Sequence, residues 1–336
     1  MIIDERRAQT VTAQRRRGGG PVIIAGMARA GTSWVAEMVK AAGGFVHLNE
    51  PFNPKHPPGQ SPGILNAPVP MGYMYVTEAN GDLYHRALTD TFRFRYRHMA
   101  ELRANHKAFD VAKMAKYSGS FALGALLGKR PLLDDPYASL AAEWIAEHFD
   151  GQVCLLVRHP AAMVASYRKL GYSTHFRHFL DQPALLTDWL EPWRAEMEAL
   201  VETDDKVAQV GFFWRMLHHP LLAMADRTPE RFHVLRYEDL CLDPVGEYEK
   251  LFTAMGVTFN DTARDEIIRG TQGSSKNKSH SWRVSRQGFL SRTAFRPMDS
   301  KAMVNAWRKT VNPEEALRLR ELTSPVADRL YSDSDW

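Results

Sequence analysis

The sequence predicts an α/β fold: a doubly wound parallel sheet flanked by helices, with helical and loop inserts. Three observations carry this reading. Apolar runs of strand length recur at 21–27, 152–160 and 231–244; stretches with helical spacing separate them; and the first run leads through a glycine-bracketed turn into a helix. In such a sheet, ligands sit beyond the carboxyl ends of the strands. The chain has 336 residues, 44% hydrophobic and 24% charged, which suits one large domain and excludes a disordered, collagenous or coiled-coil chain.

The elements follow in order. Residues 1–20 hold five arginines against Asp4 and Glu5 and read as a flexible basic tail, ahead of a single domain over 21–331. Most of the net charge of +4 therefore lies in the tail, which argues against a general nucleic-acid surface. PVIIAGM (21–27) has the unbroken apolarity of a strand buried on both faces. SWVAEMVKAAGG (33–44) continues as a helix that stops at Gly43–Gly44, and Phe45–Leu48 predicts a short second strand. Seven prolines make 51–72 an irregular loop. Residues 83–130 read as helices, and 131–149 run into another. The strand 152–160 ends at a proline, and the helix 161–171 ends at Gly171. Residues 172–227 are helical and aromatic-rich. A strand over 231–244, a helix over 248–257, a basic loop over 270–300 and helices over 300–331 complete the chain.

Cys154 and Cys241 lie in apolar runs and read as buried thiols of a reducing compartment. No apolar run approaches the roughly 18 residues of a membrane span, and the N-terminus lacks the apolar core of a secretory signal. The expectation is a cytoplasmic protein.

The chemistry starts at Gly26-Met-Ala-Arg-Ala-Gly31-Thr32-Ser33, which differs from the phosphate-loop pattern GxxxxGK[ST] by Thr32 in the lysine position. Glycines let successive N–H groups turn inward at a helix N-terminus, a cradle for an oxyanion. Arg29 adds a cation, and Thr32 and Ser33 add hydroxyls. Without the lysine, Mg²⁺-assisted cleavage of a triphosphate is disfavoured, although the fold stays P-loop-like.

The run RAGTSW resembles the 5′-phosphosulfate loop of sulfotransferases, enzymes that use 3′-phosphoadenosine-5′-phosphosulfate (PAPS) and release 3′-phosphoadenosine-5′-phosphate (PAP). Ala30 replaces the usual Ser. In LLVRHPAAMVAS, Arg158 and Ser166 have the spacing of the family's 3′-phosphate motif, with His159 and Ala161 in place of Asp and Arg. VLRYEDLCLDP resembles a third stretch of the family. The resemblance implies binding of PAPS by Arg29, Ala30, Gly31, Thr32, Ser33, Trp34, Arg158, Ser166 and Tyr237, with Tyr237 near the adenine and Glu238 and Asp239 structural. It also implies that the loop of Arg286, Arg292 and Arg296, ahead of Trp307, closes over the nucleotide. The implied reaction passes a sulfonate to a hydroxyl of a small molecule or glycan, without metal, nucleic-acid partner or membrane span.

Such a transfer needs a general base and stabilisation of the leaving oxygen. Arg29 and the loop amides fit the second task. Glu50, in FVHLNEPFNP, is the candidate base: it lies 19 residues after Gly31, where a short strand returns beside the loop. Bacterial and carbohydrate sulfotransferases carry a similar Glu-Pro. His47 and His56 are the alternatives. His175 and His178 have a metal-compatible spacing but no acidic or cysteine partner. The aromatics of 51–75 and 172–195 suit sugar faces or apolar natural products. Two other functions compete: a P-loop kinase or phosphotransferase, and a catalytically silent nucleotide- or glycan-binding protein.

Overall fold

The computed structural model describes residues 19–55, 65, 67–104, 108–272 and 299–336. Its centre is one parallel sheet of β1 (Val22–Gly26), β2 (Phe45–Asn49), β3 (Arg130–Asp134), β4 (Gln152–Val157) and β5 (Phe232–Arg236), in the spatial order β2-β3-β1-β4-β5. Every β1 residue is buried, because β1 lies mid-sheet with helices on both faces. The chain leaves β1 toward β3 and β2 on one side and toward β4 and β5 on the other, which makes the carboxyl end of β1 the switch point of the topology. Register lines the strand ends up: Asn49 pairs with Asp134, Gly26 with Leu156, and Val157 with Arg236.

Five helices position the site. α1 (Thr32–Ala41) buries Trp34, Val35, Met38 and Val39, the face read from the sequence. α2 (Pro160–Leu170) starts on a proline whose fixed φ suits the first helical position and ends at left-handed Gly171. α3 (Lys206–Arg227) is capped by Asp205, which accepts from the N–H groups of Val207 and Ala208. α4 is Tyr237–Leu242, and α5 (Pro313–Thr323) begins with a capping box of Asn312 and Glu315. Cys154 and Cys241 are buried free thiols, each pushed up to about 12 by burial. Among the described residues, no helix is long and apolar enough to cross a membrane.

Two sequence expectations are corrected. The approach to the helix over 131–149 is in fact β3, inserted between β2 and β1. Pro131 hides it, yet fits it. Arg130 donates its N–H to Gly44 on the β2 side, so position 131 faces the β1 side, where pairing begins only at Leu132. The missing donor therefore leaves no gap in the ladder. The single strand over 231–244 ends instead at Arg236, and Tyr237–Leu242 is helical. Glu238 and Asp239 occupy the first turn of α4, where acidic side chains suit the helix dipole. Residues 1–18 of the expected tail, His56, and Arg286, Arg292 and Arg296 lie outside the described residues.

Leu133 is fully buried in β3 between two strands. Leu133→Ala is expected to lower stability by about 2–5 kcal/mol in urea titration with an unchanged m-value. A loss near zero would contradict a central β3.

Candidate active site

The β1–α1 turn sets the site. Gly26 has φ +146°, and a Cβ there would meet the Leu156 carbonyl oxygen at 2.4 Å. Gly31 has φ +116°, and a Cβ would lie 2.9 Å from two ring carbons of Tyr237. Both positions require glycine. The turn closes with the Ala30 N–H on the Met27 carbonyl at 2.9 Å. α1 has no side-chain cap and no acidic residue in its first turn, so its positive end faces the mouth of the site without an internal anion. Thr32, Trp34 and Ala30 are buried, Ser33 and Gly31 are half-buried and Arg29 is exposed. Trp34 packs edge-on against Tyr237 at 5.5 Å, and its N–H donates to the Gly31 carbonyl at 2.9 Å.

Two residues that sequence reasoning missed pin this turn. The buried Tyr73 hydroxyl accepts from the Ala28 N–H at 2.9 Å. Ser139 Oγ accepts from the Gly26 N–H at 2.8 Å and lies 2.7 Å from the Pro136 carbonyl. Neither belongs to a motif; their only signal is tertiary.

Arg158 leaves the end of β4 and reaches the same turn. Its Nη1 donates to the Arg29 carbonyl at 3.3 Å, and its guanidinium lies 4.3 Å over the Tyr237 ring. Its Nε is buried without a partner. Arg158 therefore touches the backbone of the turn that carries Arg29. Tyr237 lies under the turn and Arg158 alike: Gly31 lies against its edge and Arg158 covers its face. That face is thus taken by the arginine. Ser166 is half-buried inside α2, and its hydroxyl makes no hydrogen bond among the described residues.

Glu50 follows β2 in a left-handed conformation (φ 49°) and donates its N–H to the Asp134 carbonyl at 2.9 Å. Its Oε2 accepts from Asn53 Nδ2 at 2.7 Å. Burial pushes its carboxyl above the ordinary range; the Asn53 hydrogen bond opposes this, the charge of Asp134 adds to it, and His47 and Arg29 oppose it. Arg29 and Glu50 are therefore within electrostatic reach across the mouth. Behind Glu50, buried Asp135 accepts from the N–H groups of Phe52 and Tyr137 at 2.6 and 2.9 Å and holds the turn in place. His47 is committed elsewhere: its Nε2 lies 3.2 Å from Asp134 and its Nδ1 3.7 Å from Glu37. Tyr137 is half-buried, and Tyr172, 39% exposed, stands with its ring 6.0 Å from the Arg29 guanidinium.

His175 and His178 stack at 5.1 Å, and His178 Nδ1 accepts from the Gly72 N–H at 3.2 Å. Among the described residues, no group of three or more His, Cys, Asp or Glu stands where it could hold a metal ion.

A family model described as "Sulfotransferase family" matches residues 21–261. No curated protein matches the chain. Among solved structures, the sulfotransferase domain from the curacin biosynthetic pathway is 14% identical, with 92% of this chain and 98% of that one covered at a TM-score of 0.48. The sulfotransferase domain of the Synechococcus PCC 7002 olefin synthase is 17% identical, with coverages of 94% and 96% and a TM-score of 0.42. Mouse sulfotransferase SULT7A1 complexed with PAP is 13% identical, with coverages of 97% and 91% and a TM-score of 0.40.

Two buried histidines make stability depend on pH. Burial lowers His159 to about 3 and His218 to about 4, against 6.5 in the unfolded chain. Each contributes stability that is complete above pH 6.5 and lost as pH falls toward its native value, at up to about 1.4 kcal/mol per pH unit per group. Denaturant midpoints are expected to fall steadily below pH 6.5. His159→Asn, which keeps a cap for α2, should flatten that fall; an unchanged slope would remove His159 from this account.

Proposed function

The chain belongs to the sulfotransferase family, and on that premise we propose that it transfers the sulfonate of PAPS to a hydroxyl of a small-molecule or glycan acceptor, with Glu50 as general base. The observation that carries the reading is Arg158: its guanidinium has a buried, unpartnered Nε and meets the carbonyl of Arg29, beside an uncapped helix N-terminus. That arrangement fits a ligand with an anion at each of two neighbouring points. In this reading the amides of Gly31, Thr32 and Ser33 and the side chain of Arg29 hold the 5′-phosphosulfate, while Arg158 and Ser166 take the 3′-phosphate.

PAPS supplies the activated sulfonate. As the acceptor oxygen bonds to sulfur, the Glu50 carboxylate takes the acceptor's proton. The bond between sulfur and the bridging oxygen breaks, and its electron pair stays on the 5′-phosphate of PAP. Arg29 and the helix terminus stabilise that charge. The raised pKa of Glu50 suits a base better than an ordinary carboxylate. Tyr137 and Tyr172 supply aromatic surface on the open side, which suits a sugar face or an apolar natural product. Thr32 in the lysine position disfavours a kinase.

Thermal denaturation tests the nucleotide. PAP is expected to protect without Mg²⁺ and AMP far less, and Arg158→Ala should abolish the difference; equal protection by both in the native chain, or protection requiring ATP and Mg²⁺, would overturn the reading. Arg29→Ala is expected to abolish turnover, which separates an enzyme from a silent binder. Glu50→Gln is expected to lower kcat by roughly 10²–10⁴-fold with PAP affinity nearly unchanged. In the native chain, the acidic limb of kcat should lie above the ordinary 4.5 of a glutamate, since the base must be ionised. An unaltered rate in Glu50→Gln would assign the base to a histidine.

A further inference from the structure

The backbone at Arg158 is fixed from both sides. Its carbonyl accepts from the Trp214 indole N–H at 2.8 Å. The following amide, that of His159, donates to Glu238 Oε1 at 3.0 Å. Glu238 is 5% exposed, and its other oxygen accepts from the Tyr331 hydroxyl at 3.1 Å. Tyr331 is 3% exposed and arrives from the segment that follows α5. A buried carboxylate with a donor on each oxygen has one orientation, so the Tyr331 hydroxyl, with Glu238's own N–H, fixes where Glu238 holds the 158–159 peptide.

The same C-terminal segment grips the His159 ring. Trp307 stacks on it almost parallel at 5.2 Å, while Tyr331 and Trp336 meet it edge-on at 4.8 and 4.4 Å. His159 Nδ1 accepts from the Ala161 N–H at 3.3 Å, which caps α2. Tyr331 is itself held: the Arg236 guanidinium lies 4.7 Å over its ring and bonds to Asp335 and to the Leu330 carbonyl.

We propose that Tyr331 is a positioning residue for Arg158. Through Glu238 and the His159 amide it sets the strand-to-helix turn at the angle that lays the Arg158 guanidinium over Tyr237 and against the Arg29 carbonyl. The proposal rests on the reading of Arg158 as the group that takes the 3′-phosphate. Small shifts of a turn grow along an arginine side chain, so the effect is felt at the guanidinium and not at the β1–α1 turn, which Tyr73 and Ser139 hold independently.

Tyr331→Phe removes one oxygen and keeps the ring. In the full chain, titrated with PAP and with AMP, it is expected to weaken PAP by about fivefold to tenfold, the worth of roughly one hydrogen bond, and to leave AMP unchanged. KM for PAPS should rise by a similar factor with kcat within twofold. A merely structural hydroxyl would lower the melting temperature and move both ligands together. If Tyr331→Phe does not fold, Glu238→Asp, which retracts the carboxylate by one methylene, is read by the same two titrations. Arg158→Ala runs alongside as the control. If it weakens PAP and AMP equally, the nucleotide reading itself fails. If it acts on PAP alone while Tyr331→Phe leaves the PAP-to-AMP ratio unchanged, the positioning role is overturned.

Discussion

The site depends on one close approach: backbone without a side chain at Gly31 against the ring of Tyr237. A Cβ at position 31 would lie 2.9 Å from that ring, and the left-handed backbone there disfavours any other residue. Because the approach is allowed, a single aromatic ring carries the β1–α1 turn on its edge and Arg158 on its face. The spacing between the turn and the guanidinium is thus the size of one tyrosine. Trp34, packed edge-on against the same ring, keeps it from turning.

Charge is distributed to match. Other arginines of this region are tied to carboxylates: Arg168 to Glu315, Arg215 to Glu196, Arg236 to Asp335. Neither Arg29 nor Arg158 forms a salt bridge among the described residues; each is placed by backbone and aromatic contacts instead. A cation fixed without a carboxylate keeps its charge for something outside the chain. On the far side of the mouth the logic reverses. Glu50, Asp134 and Asp135 gather at the ends of β2 and β3, and burial, with repulsion from the neighbouring carboxylates adding to it, raises the pKa of Glu50 and Asp135. The turn with Arg29 and the carboxylate of Glu50 are therefore separate elements delivered to one edge of the sheet by parallel register.

Legibility followed sequence distance. The β1–α1 turn was readable because its strand, glycines and helix are contiguous, and each letter states a backbone requirement. Arg158 and Pro160 were readable for the same reason. β3 was not, since Arg130 and Pro131 interrupt the apolar run that would mark it, and a proline is acceptable there only because β1 starts pairing one residue later. Nor was α4: no glycine or proline separates the strand-like FHVLR from Tyr237-Glu-Asp-Leu-Cys, although Tyr237, Leu240 and Cys241 have the i, i+3, i+4 spacing of the helix face they bury. Tyr73, Ser139 and Tyr331 act on backbone or carboxylate groups 45, 113 and 93 positions away, and no local pattern announces such a partner.

The amino-acid order by itself determined a strand–glycine turn–helix able to cradle an anion, a second strand ending in a cation, and a glutamate placed to return beside the first. These follow from periodicity and from the φ restrictions of glycine and proline, which act between neighbours. Only the tertiary structure decided that Arg158 touches the backbone of Arg29, that Tyr237 lies under the guanidinium, that His47 meets Asp134 while Glu50 accepts from Asn53, and that the end of the chain packs on His159. Those outcomes depend on strand order, and strand order is set by the burial of whole faces, a property that belongs to no single stretch of the chain.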